Sequence, residues 1–259
     1  MNHLFCRTII SLTFLVVGFI ANAQFDSDQF TDSQGTELKY RILYPENYNA
    51  SEQYPLVLFL HGAGERGDDN VSQLKNGAMK VFEKLQKNHP CIVIAPQCPK
   101  DNYWSSVKFE RTKYPLDLDF NYDYNEKESL HAAIELVNSF VKSKKADKKR
   151  IYITGLSMGG MGTFEAVARY PKLFVAAMPI CGGADLSSYG KKQAKVPFYI
   201  FHGSVDGVVP VKHSQEAYAK LQELGANVIY KEYPNVNHNS WDNTFGEKDY
   251  PGWMFQFTK

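Results

Sequence analysis

The chain has 259 residues, a formal net charge of +1, 22% charged residues, 44% hydrophobic residues and 14% aromatics. This is globular composition, and it excludes disordered, collagen-like and coiled-coil chains. With the charges nearly balanced, no global field would draw the protein onto nucleic acid or an anionic membrane.

At the N-terminus, Arg7 supplies a positive charge and residues 8–20 form an uncharged, mostly apolar run. Ala21-Asn22-Ala23 then places small residues at both cleavage-determining positions. The run is short for a bilayer span, which needs roughly 20 residues. The expectation is a signal peptide over residues 1–23, removed to leave 24–259 as one exported domain, secreted or periplasmic. No later segment is long enough to cross a membrane.

Beyond that point strand and helix patterns alternate. Residues 36–43 alternate in polarity and suggest an antiparallel edge strand. Short continuous apolar runs follow at 56–60, 92–95, 151–153, 174–180 and 198–201. Such runs suit strands buried on both faces, as in a parallel sheet. Leu130, Ala133, Ile134, Val137 and Val141 repeat at helical spacing. Six Lys or Arg fall within residues 142–150, which reads as a solvated helix C-terminus. Pro210 opens a later helix and Gly225 closes it, before a last strand at 228–233. No linker or internal repeat divides the chain. The pattern predicts an α/β fold: a mostly parallel central sheet with helices on both faces.

Gly155-Leu156-Ser157-Met158-Gly159 matches G-x-S-x-G. On glycine frequency alone such a match is expected about once in ten chains of this size. Its context is more specific. A strand precedes it, and Gly160, Met161 and Gly162 lead into a helix, so Ser157 stands at a tight strand-to-helix turn. A serine hydroxyl is a weak nucleophile and needs a base, which in turn needs a carboxylate to fix its tautomer. Downstream lie His202, His213 and His238. His202 ends a strand. His213 sits in the first turn of a helix, where a solvated histidine is usual. His238 lies in the loop after the last strand, at the sheet edge where Ser157 emerges, and is the expected base. Asp206 follows a buried strand to that same edge and is the expected acid, with Asp242 as runner-up. The glycine-rich loop His61-Gly62-Ala63-Gly64-Glu65-Arg66-Gly67 lets backbone N–H groups approach a ligand. The N–H groups of Met158 and Ala63 are the expected oxyanion hole, with Gly64 as the alternative second donor. A phosphate-binding loop would need Gly-Lys-Ser/Thr, which is absent. Glu65 and Arg66 read as an ion pair or as loop anchors.

These four motifs, in this order, resemble those of α/β-hydrolase serine esterases over roughly residues 36–258. They are similar to the dienelactone-hydrolase-like and phospholipase/carboxylesterase-like branches, which include feruloyl and acetylxylan esterases. The dienelactone hydrolases proper usually carry a cysteine nucleophile; Ser157 departs from that. The resemblance implies a serine carboxylesterase with the catalytic residues Ser157, Asp206 and His238. A prolyl-oligopeptidase-like peptidase and a non-catalytic binding module are the rivals. The first usually carries an accessory domain, and the second would lack a triad member.

Cys91 and Cys98 bracket one strand, about 20 Å apart, whereas a disulfide needs Cα atoms within about 7 Å. The strand order implied by the resemblance puts Cys181 about three strands away. Free, buried thiols are expected. No Cys/His cluster has zinc spacing, so neither metal nor cofactor is expected. The long segment 101–128 is rich in aromatics and carries Asp117, Asp119 and Asp123. Tyr103 and Trp104 within it, and Trp241 just after His238, are candidate substrate-binding residues for a small or oligosaccharide ester. The alternative is that the aromatics pack the loop onto the body.

Overall fold

Tyr54–Leu60 is apolar at every position and buried at every position. Its alternate residues enter two different cores. Leu56, Leu58 and Leu60 pack on one side of the sheet, and Val57 and Phe59 on the other. This is why the sequence shows a continuous apolar run instead of alternation. A computed structural model describes residues 24–259 and builds an α/β fold around this strand. The expected signal segment, 1–23, lies outside the described residues.

In chain order the strands are β1 (Asp26–Thr31), β2 (Glu37–Leu43), β3 (Tyr54–Leu60), β4 (Ile92–Pro96), β5 (Val107–Lys108), β6 (Asp119–Phe120), β7 (Ala146–Leu156), β8 (Ala176–Ile180), β9 (Phe198–Gly203) and β10 (Val228–Tyr233). Eight of them form one sheet in the order β1-β2-β4-β3-β7-β8-β9-β10, and β5 pairs with β6 in a small separate ribbon. From β4 to β10 the neighbours run parallel; β2 is antiparallel to both β1 and β4. The helices are α1 (Ala78–Gln86), α2 (Glu128–Lys142), α3 (Met158–Arg169), α4 (Lys212–Glu223) and α5 (Trp241–Gly246). Side chains of α2, α3 and α4 join the core on one face, while α1 and the C-terminal Trp253 and Met254 join the core on the other.

Three expectations are corrected. The strand expected at the edge, β2, is the second strand, because β1 pairs with it from Asp26↔Ile42 to Thr31↔Glu37. The β1 sequence DSDQFT is mostly exposed and joins through its backbone, so it carries no apolar signal. The basic cluster at 142–150 is not all helix. Lys142 ends α2, Lys144 makes a turn at φ 59°, and Lys148, Lys149 and Arg150 lie in the opening of β7. In the run 174–180 the strand begins at Ala176, not Phe174. The expected helix between Pro210 and Gly225 is α4, and Gly225 ends it at φ 73°. Cys91, Cys98 and Cys181 are free and buried. Among the described residues no helix is long and apolar enough to cross a membrane.

Candidate active site

The strands β3, β7, β8 and β9 deliver their C-terminal ends to one edge of the sheet, the usual position for sites in open α/β folds. Ser157 stands between β7 and α3 with φ 53° and ψ −115°, a conformation few non-glycine residues adopt. Its own N–H donates to the Ile180 carbonyl on β8 at 2.9 Å. The turn closes only because Gly159 has no side chain: a Cβ there would overlap the Leu60 carbonyl. With the Ser157 N–H engaged, Met158 offers the first free donor of α3. Ala63 opens a single 3-10 turn, Ala63–Glu65, directly after β3. The N–H groups of Ala63 and Met158 donate to no acceptor among the described residues.

His238 joins the serine to the acid. Ser157 Oγ lies 2.8 Å from His238 Nε2, and His238 Nδ1 lies 2.8 Å from Asp206 Oδ2. A carboxylate oxygen only accepts, so Nδ1 carries the proton and Nε2 is free to take one from the serine. Asp206 Oδ1 accepts from the N–H groups of Val208 at 2.8 Å and Val209 at 2.9 Å. Burial alone would raise the Asp206 pKa. The donors from His202, His238 and Val208 outweigh it and hold the carboxyl well below the usual carboxylate range.

The two loops that carry these residues are interlocked. Val205 N–H donates to the Val236 carbonyl at 3.1 Å, and Ser204 N–H to the Tyr233 carbonyl at 3.0 Å. Gly203 allows this closeness, since a Cβ there would strike the Val236 and Asn237 carbonyls. The runners-up fall away. Asp242 is exposed and bonds the Asn239 carboxamide at 3.0 Å. His213 is not the solvated histidine that was expected. It is half-buried against the Phe120 ring, and burial lowers its pKa to about 4.

A cavity of about 460 Å³ opens over Ser157 and His238. Gly62, Ala63, Gly64, Tyr103, Tyr114 and Trp241 are among the residues that line it. The Trp241 ring meets the His238 ring edge-on at 5.4 Å. Of the three aromatics expected to bind substrate, Tyr103 and Trp241 line the cavity. Trp104 does not. It is fully buried, packs edge-on to His61 at 5.4 Å, and its Cβ sits where a side chain at Gly162 would go. The large, flat side chain that suggested a ligand platform instead fills the space between the loop and α3. Tyr122 is likewise buried. The aromatics of segment 101–128 thus divide between packing and cavity.

His61 is also structural. Its Nε2 accepts the Cys98 N–H at 2.9 Å, which leaves Nδ1 to donate to the Gly62 carbonyl at 2.6 Å and pins the glycine loop. Burial lowers its pKa to about 4 and keeps it neutral. Glu65 and Arg66 are not paired with each other. Glu65 accepts from Asn76 at 3.0 Å, and Arg66 donates to the carbonyls of Ala63, Lys100 and Asn102, so loop anchoring is the surviving expectation. Glu65 and Arg111 line the cavity as well.

Folding creates one grouping that sequence spacing did not reveal. Cys181, Asp206 and His238 bring potential ligand atoms within 4.8 Å of one another. The set does not fit a metal. Burial pushes the Cys181 thiol far up, and the two nearest ligand atoms of Asp206 and His238 are committed to each other.

The sequence pattern of the phospholipase/carboxylesterase family matches residues 47–248. The chain belongs to that family. This carboxylesterase-family chain is a serine hydrolase, and its family acts on esters. It is 29% identical over 204 residues to a probable carboxylesterase of Oryza sativa subsp. japonica, covering 74% of this chain and 85% of that protein. It is 33% identical over 193 residues to a bifunctional acetylxylan esterase/xylanase of Neocallimastix patriciarum, covering 70% of this chain but 23% of that protein. The crystal structure of a thermostable esterase superposes with a TM-score of 0.81 at 38% identity, covering 93% of this chain and 64% of that one.

Sequence reasoning missed three residues around the site. His202 was weighed as a base and is instead a second partner of Asp206 at 3.1 Å. Asn237 bonds both loops. Glu165, on α3, holds segment 101–128 through Ser105 and Ser106. Only His202 had a signal: a histidine at the end of a buried strand, four residues before the acid.

Proposed function

We propose that the enzyme hydrolyses carboxylic esters through an acyl-enzyme on Ser157. The unbroken chain of 2.8 Å contacts from Ser157 through His238 to Asp206 carries this reading. Ser157 Oγ attacks the ester carbonyl carbon and passes its proton to His238 Nε2. The carbonyl oxygen becomes an oxyanion facing the N–H groups of Ala63 and Met158. The intermediate collapses, the C–O bond to the alcohol breaks, and His238 returns the proton to the departing alkoxide. A water then repeats the sequence on the acyl-serine and releases the acid. Asp206 stays ionised throughout; it orients His238 and offsets the imidazolium charge.

The substrate we assign is an ester on a carbohydrate, acetyl or feruloyl. Two supports favour it: the aromatic walls Tyr103, Tyr114 and Trp241, which suit sugar or phenolic rings, and the likeness to the acetylxylan esterase/xylanase. Residues 1–23 serve in this reading as a signal peptide, and 24–259 act as a single exported hydrolase domain. The test has two arms. An organophosphonate should label Ser157, read by mass spectrometry. A panel of acetylated and feruloylated oligosaccharides, long-chain esters and peptides should rank the oligosaccharide esters first by kcat/KM. Labelling elsewhere would refute the nucleophile, and a peptide or long-chain preference would refute the substrate class.

A further inference from the structure

The Asp206 carboxylate serves two histidines, not one. His238 reaches Oδ2 at 2.8 Å from the last loop, and His202 reaches the same oxygen at 3.1 Å from the end of β9. His202 is fully buried and does not line the cavity. Its Nε2 also lies 3.0 Å from the Val209 carbonyl. Carboxylate and carbonyl are pure acceptors, so Nε2 carries the proton. Ser214 Oγ, on α4, stands 2.7 Å from Nδ1. In the neutral ring Nδ1 is the acceptor, and the hydroxyl donates to it at the shorter distance, with the Gly182 carbonyl 3.4 Å away as its other acceptor. The ring is thus held in one tautomer from both ends, with its N–H aimed at the acid.

We propose that His202 is a positioning residue of the esterase reaction: its Nε2–H holds Asp206 Oδ2 toward His238 and makes the carboxylate a weaker base. The inference rests on the reading of Ser157, His238 and Asp206 given above. A carboxylate that accepts a second strong donor stabilises an opposing imidazolium less. Loss of this donor should therefore move the acid limb of the rate to higher pH. Orientation is the second effect. Backbone donors fix Oδ1, and His202 is the protein donor that fixes Oδ2 independently of the moving base.

Other groups that face this pair are present in every variant below, so they do not confound the comparison. Cys181 faces Asp206 and His238. His213 on α4 and Glu232 on β10 lie within electrostatic reach of His202. Ser157 and Trp241 touch His238, and Glu65 and Arg111 line the cavity beside it.

The test measures kcat and KM for a nitrophenyl acetate against pH in the wild type, His202→Leu and His202→Gln. Glutamine can place an amide N–H near the Nε2 position. For His202→Leu, kcat should fall about tenfold or more while KM holds, consistent with loss of one hydrogen bond to a charged group. Its acid limb should move up by roughly half a pH unit. His202→Gln should return the limb toward wild type and recover most of the rate. A folded His202→Leu enzyme with a wild-type limb overturns the proposal, and so do equal losses in both variants without a shift. If His202→Leu does not fold, the tautomer in the wild type decides. In 15N-correlated spectra, with the His202 signals assigned by their absence from His202→Gln, an Nε2–H ring supports the proposal and an Nδ1–H ring overturns it. Failure of the underlying reading shows separately, as a Ser157→Ala enzyme that keeps its activity, and the inference then falls with it.

Discussion

The Asn237 side-chain oxygen accepts the backbone N–H of Gly207 at 2.8 Å, which ties the loop that carries His238 to the loop that carries Asp206. The same oxygen accepts the His238 N–H at 2.7 Å. One carboxamide thereby bridges the loops that carry base and acid, and it bonds neither side chain.

Asn237→Ala should therefore lower kcat by about tenfold, with a stability loss of only about 1 kcal/mol. Steady-state kinetics and a urea melt check this together. Asn237→Asp keeps the accepting oxygen and should recover most of the rate. Equal stability loss with unchanged kcat would show that the backbone pairs around Val205 and Val236 hold the loops unaided.

The contrast with what the sequence revealed is instructive. That Ser157, Asp206 and His238 would meet was legible because each follows a strand of the parallel part of the sheet, which sends all such residues to one edge. Asn237 was not, because its role depends on two loops that meet only after β9 and β10 pair. Trp104 was misread for a related reason. Aromatic content in a long loop does not say which rings turn inward, and Trp104 is fully buried while Tyr114 is half exposed. β1 was missed because an edge strand held by its backbone needs no apolar pattern.

Glu165 fastens segment 101–128 to α3. It is fully buried and accepts from Ser105 Oγ at 2.9 Å, from Ser106 Oγ at 2.8 Å and from Arg169 Nε at 2.7 Å. Glu165→Ala leaves Arg169 without its carboxylate and should cost about 3–5 kcal/mol. The segment should become the first site of proteolytic cutting, within residues 101–127. Cleavage elsewhere first would place the weak point outside this anchor.

Acid should destabilise the fold before it touches the aspartates. His61 and His213 have folded pKa values of about 4, set chiefly by burial, below the ordinary histidine value near 6.5. A group with a depressed folded value binds protons more readily when unfolded. Stability should thus fall as pH drops from about 6.5 toward 4. For His61 alone the loss between pH 7 and pH 5 is about 2 kcal/mol; half-buried His213 adds less. Asp206 behaves differently. Its carboxyl is held low by its donors, so its contribution persists until pH falls below about 4. Urea melts at pH 7 and pH 5 check the first window, and His213→Gln should flatten it in part. A midpoint constant across that range would contradict neutral burial of these rings.

Activity should report on the serine and its base as one unit. Ser157→Ala and His238→Ala should each lower kcat by about 10⁴-fold or more, and the double variant should cost little beyond either. His213→Ala should leave kcat within about twofold, since its ring packs on Phe120 and is absent from the cavity lining. Single-turnover assays on a nitrophenyl acetate separate these outcomes. Additive losses from Ser157 and His238 would mean that they do not exchange a proton.

Substrate choice turns on the three aromatics first considered together, of which two line the cavity and one does not. Tyr103 and Trp241 face the cavity, whereas Trp104 is packed behind the loop against His61. Contacts to the non-reacting part of a substrate lower the barrier only for substrates that have such a part. Tyr103→Ala and Trp241→Ala should therefore reduce kcat/KM about tenfold more for an acetylated or feruloylated oligosaccharide than for a nitrophenyl acetate, as loss of one stacking contact implies. Trp104→Ala should instead cost about 3–5 kcal/mol of stability through the cavity it leaves. Its losses on the two substrates should be equal, because a loosened loop disturbs Ala63 and the reacting carbonyl whatever the leaving group is. Equal losses from Tyr103→Ala and Trp241→Ala would place these rings in the same supporting role and remove the carbohydrate assignment.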